Sequence, residues 1–134
     1  MNIPVQGPDA VHKLSRLLAS HPAVEFAVLV GSRADGTANA GSDWDIAVGW
    51  KSGPDWFQDL SESESLRVQL ATALGVSTTM IDLIDLREAN LAMRAVVAEE
   101  GKILAGDDSP AWARFLRRTW REIEDFEWER SHAA

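Results

Sequence analysis

At 134 residues the chain is long enough for one domain with a hydrophobic core, and its apolar and charged shares, 46% and 25%, are ordinary for a globular protein. A formal net charge of −8 argues against broad binding to phosphate backbones, which needs clustered Lys and Arg, and suits a basic partner or simply a well-solvated surface. With no Cys there is no disulfide framework, thiolate metal site or thiol nucleophile, and no apolar stretch approaches membrane-spanning length.

The segment Met1 to Pro8 lacks the charged and apolar regions of a secretion signal, so a soluble, unprocessed, cytoplasmic protein is expected. The spacing predicts a first helix over Asp9 to Ser20, with Val11, Leu14 and Leu18 on one stripe and His21-Pro22 beyond its end. His12, His21 and His132 are scattered and form no metal-binding spacing.

A strand is predicted over Val24 to Val30, opening straight into Gly31-Ser32. Glycine lets the backbone approach a ligand, and a Ser hydroxyl with nearby N–H groups holds phosphate oxygens, the more so if a helix starts near Ala34. The Lys of a P-loop is missing. Gly36 and Gly41 loosen the connection to Asp43-Trp44-Asp45, at the head of a second apolar run. Side chains in a strand alternate faces at roughly 3.3 Å per residue, so Asp43 and Asp45 share one face, within reach of a single hard cation, while Trp44, Ile46 and Val48 share the other. Magnesium suits such a pair, being commonly held by one or two carboxylates plus substrate phosphates, and a nucleoside triphosphate would complete its shell.

Lys51 to Pro54 reads as a turn, and Ser61-Glu62-Ser63-Glu64 has the capping-box pattern of a helix running through Leu66, Leu70 and Leu74 to a stop at Gly75. Thr78 to Leu86 reads as a third strand with Asp82 and Asp85 embedded in it. Three residues apart, these two acids fall on opposite faces, so only one joins the site, and periodicity does not choose between them. A fourth helix is expected over about Arg87 to Glu99, before Gly101. Ser109-Pro110 opens the last helix, in which Trp112, Phe115, Leu116, Trp120, Ile123, Phe126 and Trp128 cover more than one stripe. Such a helix is either well buried or packed on both the sheet and a partner.

Three segments together carry a family resemblance: Gly31-Ser32-Arg33-Ala34-Asp35-Gly36, Ser42-Asp43-Trp44-Asp45-Ile46-Ala47-Val48 and Ile81-Asp82-Leu83-Ile84-Asp85-Leu86. They resemble the minimal nucleotidyltransferases of the DNA polymerase beta superfamily, in particular antitoxins partnered with HEPN-domain toxins. The likeness extends to Glu100-Gly101-Lys102-Ile103-Leu104 and the aromatic stretch after it. Asp35 stands where the family often has Arg, and Trp44 where a small aliphatic residue is usual.

The resemblance implies an α+β fold, a two-layer α/β arrangement in which a small mixed sheet carries helices on one face, formed by a single domain over residues 1–134 with its C-terminal helix. It implies that Gly31, Ser32, Arg33 and Ser42 line the nucleotide, that Asp43 and Asp45 bind Mg2+, and that Asp82 is the third catalytic and metal-binding carboxylate. ATP would be the substrate and the acceptor a tyrosine hydroxyl of a cognate HEPN ribonuclease toxin, silenced by AMP. The chain has no Tyr, so it cannot modify itself on tyrosine. Alternatives are an antitoxin that acts by binding and occlusion, and a small-molecule nucleotidyltransferase of the aminoglycoside-modifying type, which usually needs an additional helical domain.

Overall fold

The computed structural model describes residues 7–51 and 56–133, with the backbone alone for 56–59. In chain order the elements are α1 (Gly7–Ser20), β1 (Val24–Val30), the short α2 (Ser32–Asp35), β2 (Trp44–Trp50), α3 (Trp56–Leu74), a 3-10 turn (Thr78–Met80), β3 (Ile81–Asp85), α4 (Leu91–Glu100), β4 (Lys102–Ala105) and α5 (Pro110–His132). The strands form one sheet in the order β3-β2-β1-β4. The β1/β2 and β1/β4 pairs are antiparallel and the β2/β3 pair is parallel, so the sheet is mixed, as expected. A parallel neighbour requires a crossover, and α3 supplies it.

The sheet is covered on both faces, where helices were expected on one. Val24, Ala27 and Leu29 of β1, with Trp44, Ile46 and Val48 of β2, pack against Ala10, Leu14 and Leu18 of α1 and Leu66, Leu70, Ala71 and Leu74 of α3. On the other face Phe26, Val28, Val30 and Ala47 meet Val97 of α4 and Trp112 and Phe115 of α5. A strand buried on both sides reads as an unbroken apolar run, as Val24 to Val30 nearly does, rather than as an alternation. Alternation lets β1 serve both layers, and a register shift between Val24 and Phe26 brings Val24 onto the face of Ala27 and Leu29. The fully buried leucines of α1 and α3 anchor the first layer, and truncating any one to Ala would cost about 2–5 kcal/mol.

Three boundaries differ by three residues or more from those expected of the sequence, while α1 starts at Gly7 instead of Asp9 and β3 ends at Asp85 instead of Leu86. Helix α3 begins at Trp56 and propagates through Ser61 to Glu64, so the capping box lies inside it; Glu62 there reaches His21 at 3.6 Å and Glu64 reaches Arg67 at 3.4 Å. Thr78 to Met80 form the 3-10 turn instead of the start of β3, capped by the Ser77 hydroxyl, which accepts the Thr79 N–H at 3.3 Å. Helix α4 starts four residues late because the Asn90 side chain accepts the Met93 N–H at 2.9 Å and fixes the N-cap there. The start of α5 is as expected, with Ser109 Oγ accepting the Trp112 N–H at 3.1 Å. The turn expected at Lys51 to Pro54 lies, from residue 52 on, outside the described residues.

The last helix is not simply well buried. Its first half packs through Trp112 and Phe115, but Trp120, Phe126 and Trp128 are 41%, 55% and 62% exposed.

Candidate active site

Strand β1 ends against a carboxylate. Gly31 takes φ 75°, ψ −158°, a region that essentially only glycine occupies, and its carbonyl accepts the N–H groups of Ala34 at 3.0 Å and Asp35 at 3.1 Å to wind α2. A Cβ at Gly31 would stand 2.5 Å from Oδ2 of Asp45. The turn after β1 and the carboxylate of β2 are therefore in direct apposition, and the absent side chain makes the fit.

Register then assembles the acids. Val30 pairs with Asp45 on β2, and Asp45 pairs with Asp82 on β3. Cross-strand partners share a face, so Asp45 and Asp82 stand side by side. Asp43 lies one residue before β2, exposed at its mouth. Burial pushes the carboxyl of Asp45 above its ordinary pKa, and the negative charges of Asp82 and then Asp43 add to that shift. Asp85, in register with Val48, is out of alternation with Asp45 and Asp82, and at the end of the strand its carboxylate accepts the Arg87 backbone N–H at 2.9 Å, Nε at 3.0 Å and Nη2 at 2.7 Å. The choice that periodicity left open is thus made by strand pairing.

The loop between Gly36 and Asp43 is tied by its own polar groups. Arg33 donates through Nε (3.3 Å) and Nη2 (2.8 Å) to the Ser42 carbonyl and lies 4.3 Å over the Trp44 ring. Its guanidinium holds the loop onto the strand. Ser42 Oγ accepts the Asn39 N–H at 3.0 Å, and Asn39 Oδ1 accepts the Gly41 N–H at 2.8 Å. Asp35 accepts both the N–H (2.9 Å) and the hydroxyl (2.5 Å) of Thr37, which hold its carboxyl below the usual range.

Ser32 and Arg33 also line a cavity of about 650 Å³ between α1, the 36–40 loop and β4, together with His12, Trp44 and Lys102. None of the three acids lines this cavity, so its wall at Ser32 and Arg33 is distinct from the row of carboxylates. Lys102 brings a positive charge to the cavity wall, a contribution that no local sequence pattern announced.

A divalent cation fits the donor set in kind. Asp43, Asp45 and Asp82 offer oxygen alone, and a cation would favour the ionised form of Asp45, which burial and then the charges of Asp82 and Asp43 disfavour. Among the described residues, however, no group of three or more His, Cys, Asp or Glu stands close enough together to hold a metal ion by itself. An open set of carboxylates is compatible with magnesium, which keeps waters and takes phosphate oxygens.

Residues 12–110 match the family model described as Polymerase beta, Nucleotidyltransferase. The chain belongs to this nucleotidyltransferase family. The protein adenylyltransferase MntA of Aphanizomenon flos-aquae (strain 2012/KM1/D3) is 29% identical over 115 residues, 77% of this chain and 71% of that protein. A crystal structure of a toxin-antitoxin with AMP-PNP contains a chain 30% identical, covering 90% of this chain and 92% of its own length with a TM-score of 0.68. In a rebuilt structure of tri-AMPylated Shewanella oneidensis HEPN toxin in complex with MNT antitoxin, the matching chain is 28% identical over 91% of this chain and 90% of its own, with a TM-score of 0.62. The nucleotidyltransferase frame accounts for the mixed sheet. No helix among the described residues is long and apolar enough to cross a membrane.

Proposed function

We propose that this chain is an antitoxin nucleotidyltransferase that moves AMP from ATP to a tyrosine hydroxyl of a HEPN-domain toxin in the cytoplasm. The observation that carries the reading is the row formed by Gly31, Asp45 and Asp82 on adjacent elements. Ser32 and the amides that open α2 hold phosphate oxygens. Asp82, the exposed member of the row, accepts the proton of the acceptor hydroxyl as its oxygen bonds to the α-phosphorus and the bond to the β-phosphate oxygen breaks, releasing pyrophosphate. Mg2+ held by Asp43 and Asp45, with Asp82 beside them, would neutralise charge on the phosphates and orient the leaving group. Arg33 and Ser42 serve this site by fixing the loop that delivers Asp43. The exposed Trp120, Phe126 and Trp128 of α5 offer apolar surface outside the core to a protein partner.

The test is the intact mass of a copurified HEPN protein incubated with this chain, ATP and Mg2+, beside the Asp43→Asn, Asp45→Asn double variant. Gain of one or more AMP units, lost in the variant, is the expected result. Equal labelling by the variant would remove the carboxylates from the mechanism. A second reading, neutralisation by occlusion, rests on the exposed Trp120, Phe126 and Trp128, and it predicts tight binding with no mass gain.

A further inference from the structure

On the same sheet face as Asp45, toward the other end of β2, lies a groove of about 530 Å³ walled by Arg87, Arg94, Arg114, Arg118 and Arg121. Asp45, Ala47 and Gly49 alternate onto this face, so the groove begins about 13 Å along the strand from the carboxylate. The floor is apolar. Phe26 lies over Gly49, where an added Cβ would meet the ring at 2.2 Å, and Phe115 and Leu86 flank it.

The charge is out of proportion to the molecule. Five of the chain's ten arginines gather here although the net charge is −8. Arg114, Arg118 and Arg121 recur at i, i+4 and i+7 and so share one side of α5. Two carboxylates answer them: Asp85 binds Arg87, and Glu122 binds Arg94 directly and Arg118 at 3.5 Å. Among the described residues Arg114 and Arg121 pair with no acid. Arginine forks placed over an aromatic floor recognise carboxylates presented next to apolar side chains.

We propose that this groove seats an acidic, partly apolar segment of a partner polypeptide, holding it on the face that carries Asp45. The inference rests on the proposed function only in taking the protein acceptor as the source of that segment. A nucleic-acid strand is the poorer occupant. From Arg114 to Arg121 the helix rises about 10 Å, two turns of a docked peptide, and the acidic surface beyond would repel a continuing phosphate backbone.

Binding is measurable without nucleotide or metal, so its failure is distinct from a failure of AMP transfer. The probe is a fluorescein-labelled dodecapeptide of glutamates with Phe at i and i+4, compared by anisotropy with a labelled single-stranded RNA of equal length. The full chain should bind the peptide in preference to the RNA, and Arg114→Glu with Arg121→Glu should weaken the peptide by at least about tenfold. Lys13→Glu with Arg16→Glu on α1 should change it by less than about twofold. Unaltered melting of both variants excludes unfolding as the cause. Retained binding by the Arg114/Arg121 variant, no binding by the unaltered chain at about millimolar peptide, or tighter binding of the RNA would each overturn the proposal.

Discussion

Replacing Gly31 by Ala tests the central contact of the site through two separable effects. The first is backbone strain. At φ 75°, ψ −158° an L-residue is held where it rarely goes, at about 1–3 kcal/mol. For a chain of this size, at about 4 °C per kcal/mol, that lowers Tm by roughly 4–12 °C. The second is steric. The new methyl would sit 2.5 Å from Oδ2 of Asp45, so the carboxylate must swing away, and a displacement near 1 Å at a reacting centre costs about a hundredfold in rate. Gly36→Ala is the control, because Gly36 also has positive φ, at 84°, but a Cβ there meets nothing within 4 Å. Both variants should lose stability in urea denaturation, whereas only Gly31→Ala should lose AMP transfer, followed by intact mass of the acceptor over time. Equal loss of transfer in the two variants, or full activity in Gly31→Ala, would refute the argument that this glycine exists to admit Asp45.

Asp45 has its carboxyl pKa raised, so the native state resists ionising it, and the stability it lends is present below the ordinary value of 3.8 and lost as pH rises. In chelator, Asp45→Asn should therefore melt above the unaltered chain at pH 7 and lose that advantage as pH falls toward 4, while abolishing transfer; a gap that stays constant with pH would contradict the assignment. Arg33→Ala removes the bonds to the Ser42 carbonyl and the contact over Trp44, and should cost about 1–3 kcal/mol with faster amide exchange at Asn39 and Gly41; unchanged exchange there would show that the loop holds itself. Thr119 is fully buried and its Oγ1 has no hydrogen-bond partner among the described residues, so Thr119→Val should raise stability by about 1 kcal/mol in urea titration, and a fall would mean that the hydroxyl has a partner.

What the sequence made legible is what depends on local spacing. Asp43 and Asp45 could be placed at the head of a strand, and Gly31-Ser32 at the end of another, because alternation and turn chemistry act over a few residues. The choice of Asp82 over Asp85 depends on β3 lying parallel to β2 with Asp45 opposite Asp82, a pairing set across a 19-residue helix. Arg33 was expected at the nucleotide by resemblance alone; its carbonyl partners in a loop seven to nine residues away left no pattern. The second helical layer was missed because α5 spreads its aromatics over several stripes, which conceals the side that meets Phe26.

The two-sided burial that escaped the sequence reading is also what makes the site rigid. Trp44 and Ile46 flank Asp45 along β2 and are sunk in the first core, so the backbone between them cannot shift without exposing apolar surface worth about 1.5–3 kcal/mol per side chain. On the other face Val30 and Ala47 belong to the second core, which closes off the strand from that side as well. A carboxylate carried by such a strand has little freedom to relieve its repulsion from Asp82 and Asp43 by moving away. Burial first, and then the charges of Asp82 and Asp43, raise the proton affinity of Asp45, and a cation bound there would favour its ionised form without any rearrangement of the sheet.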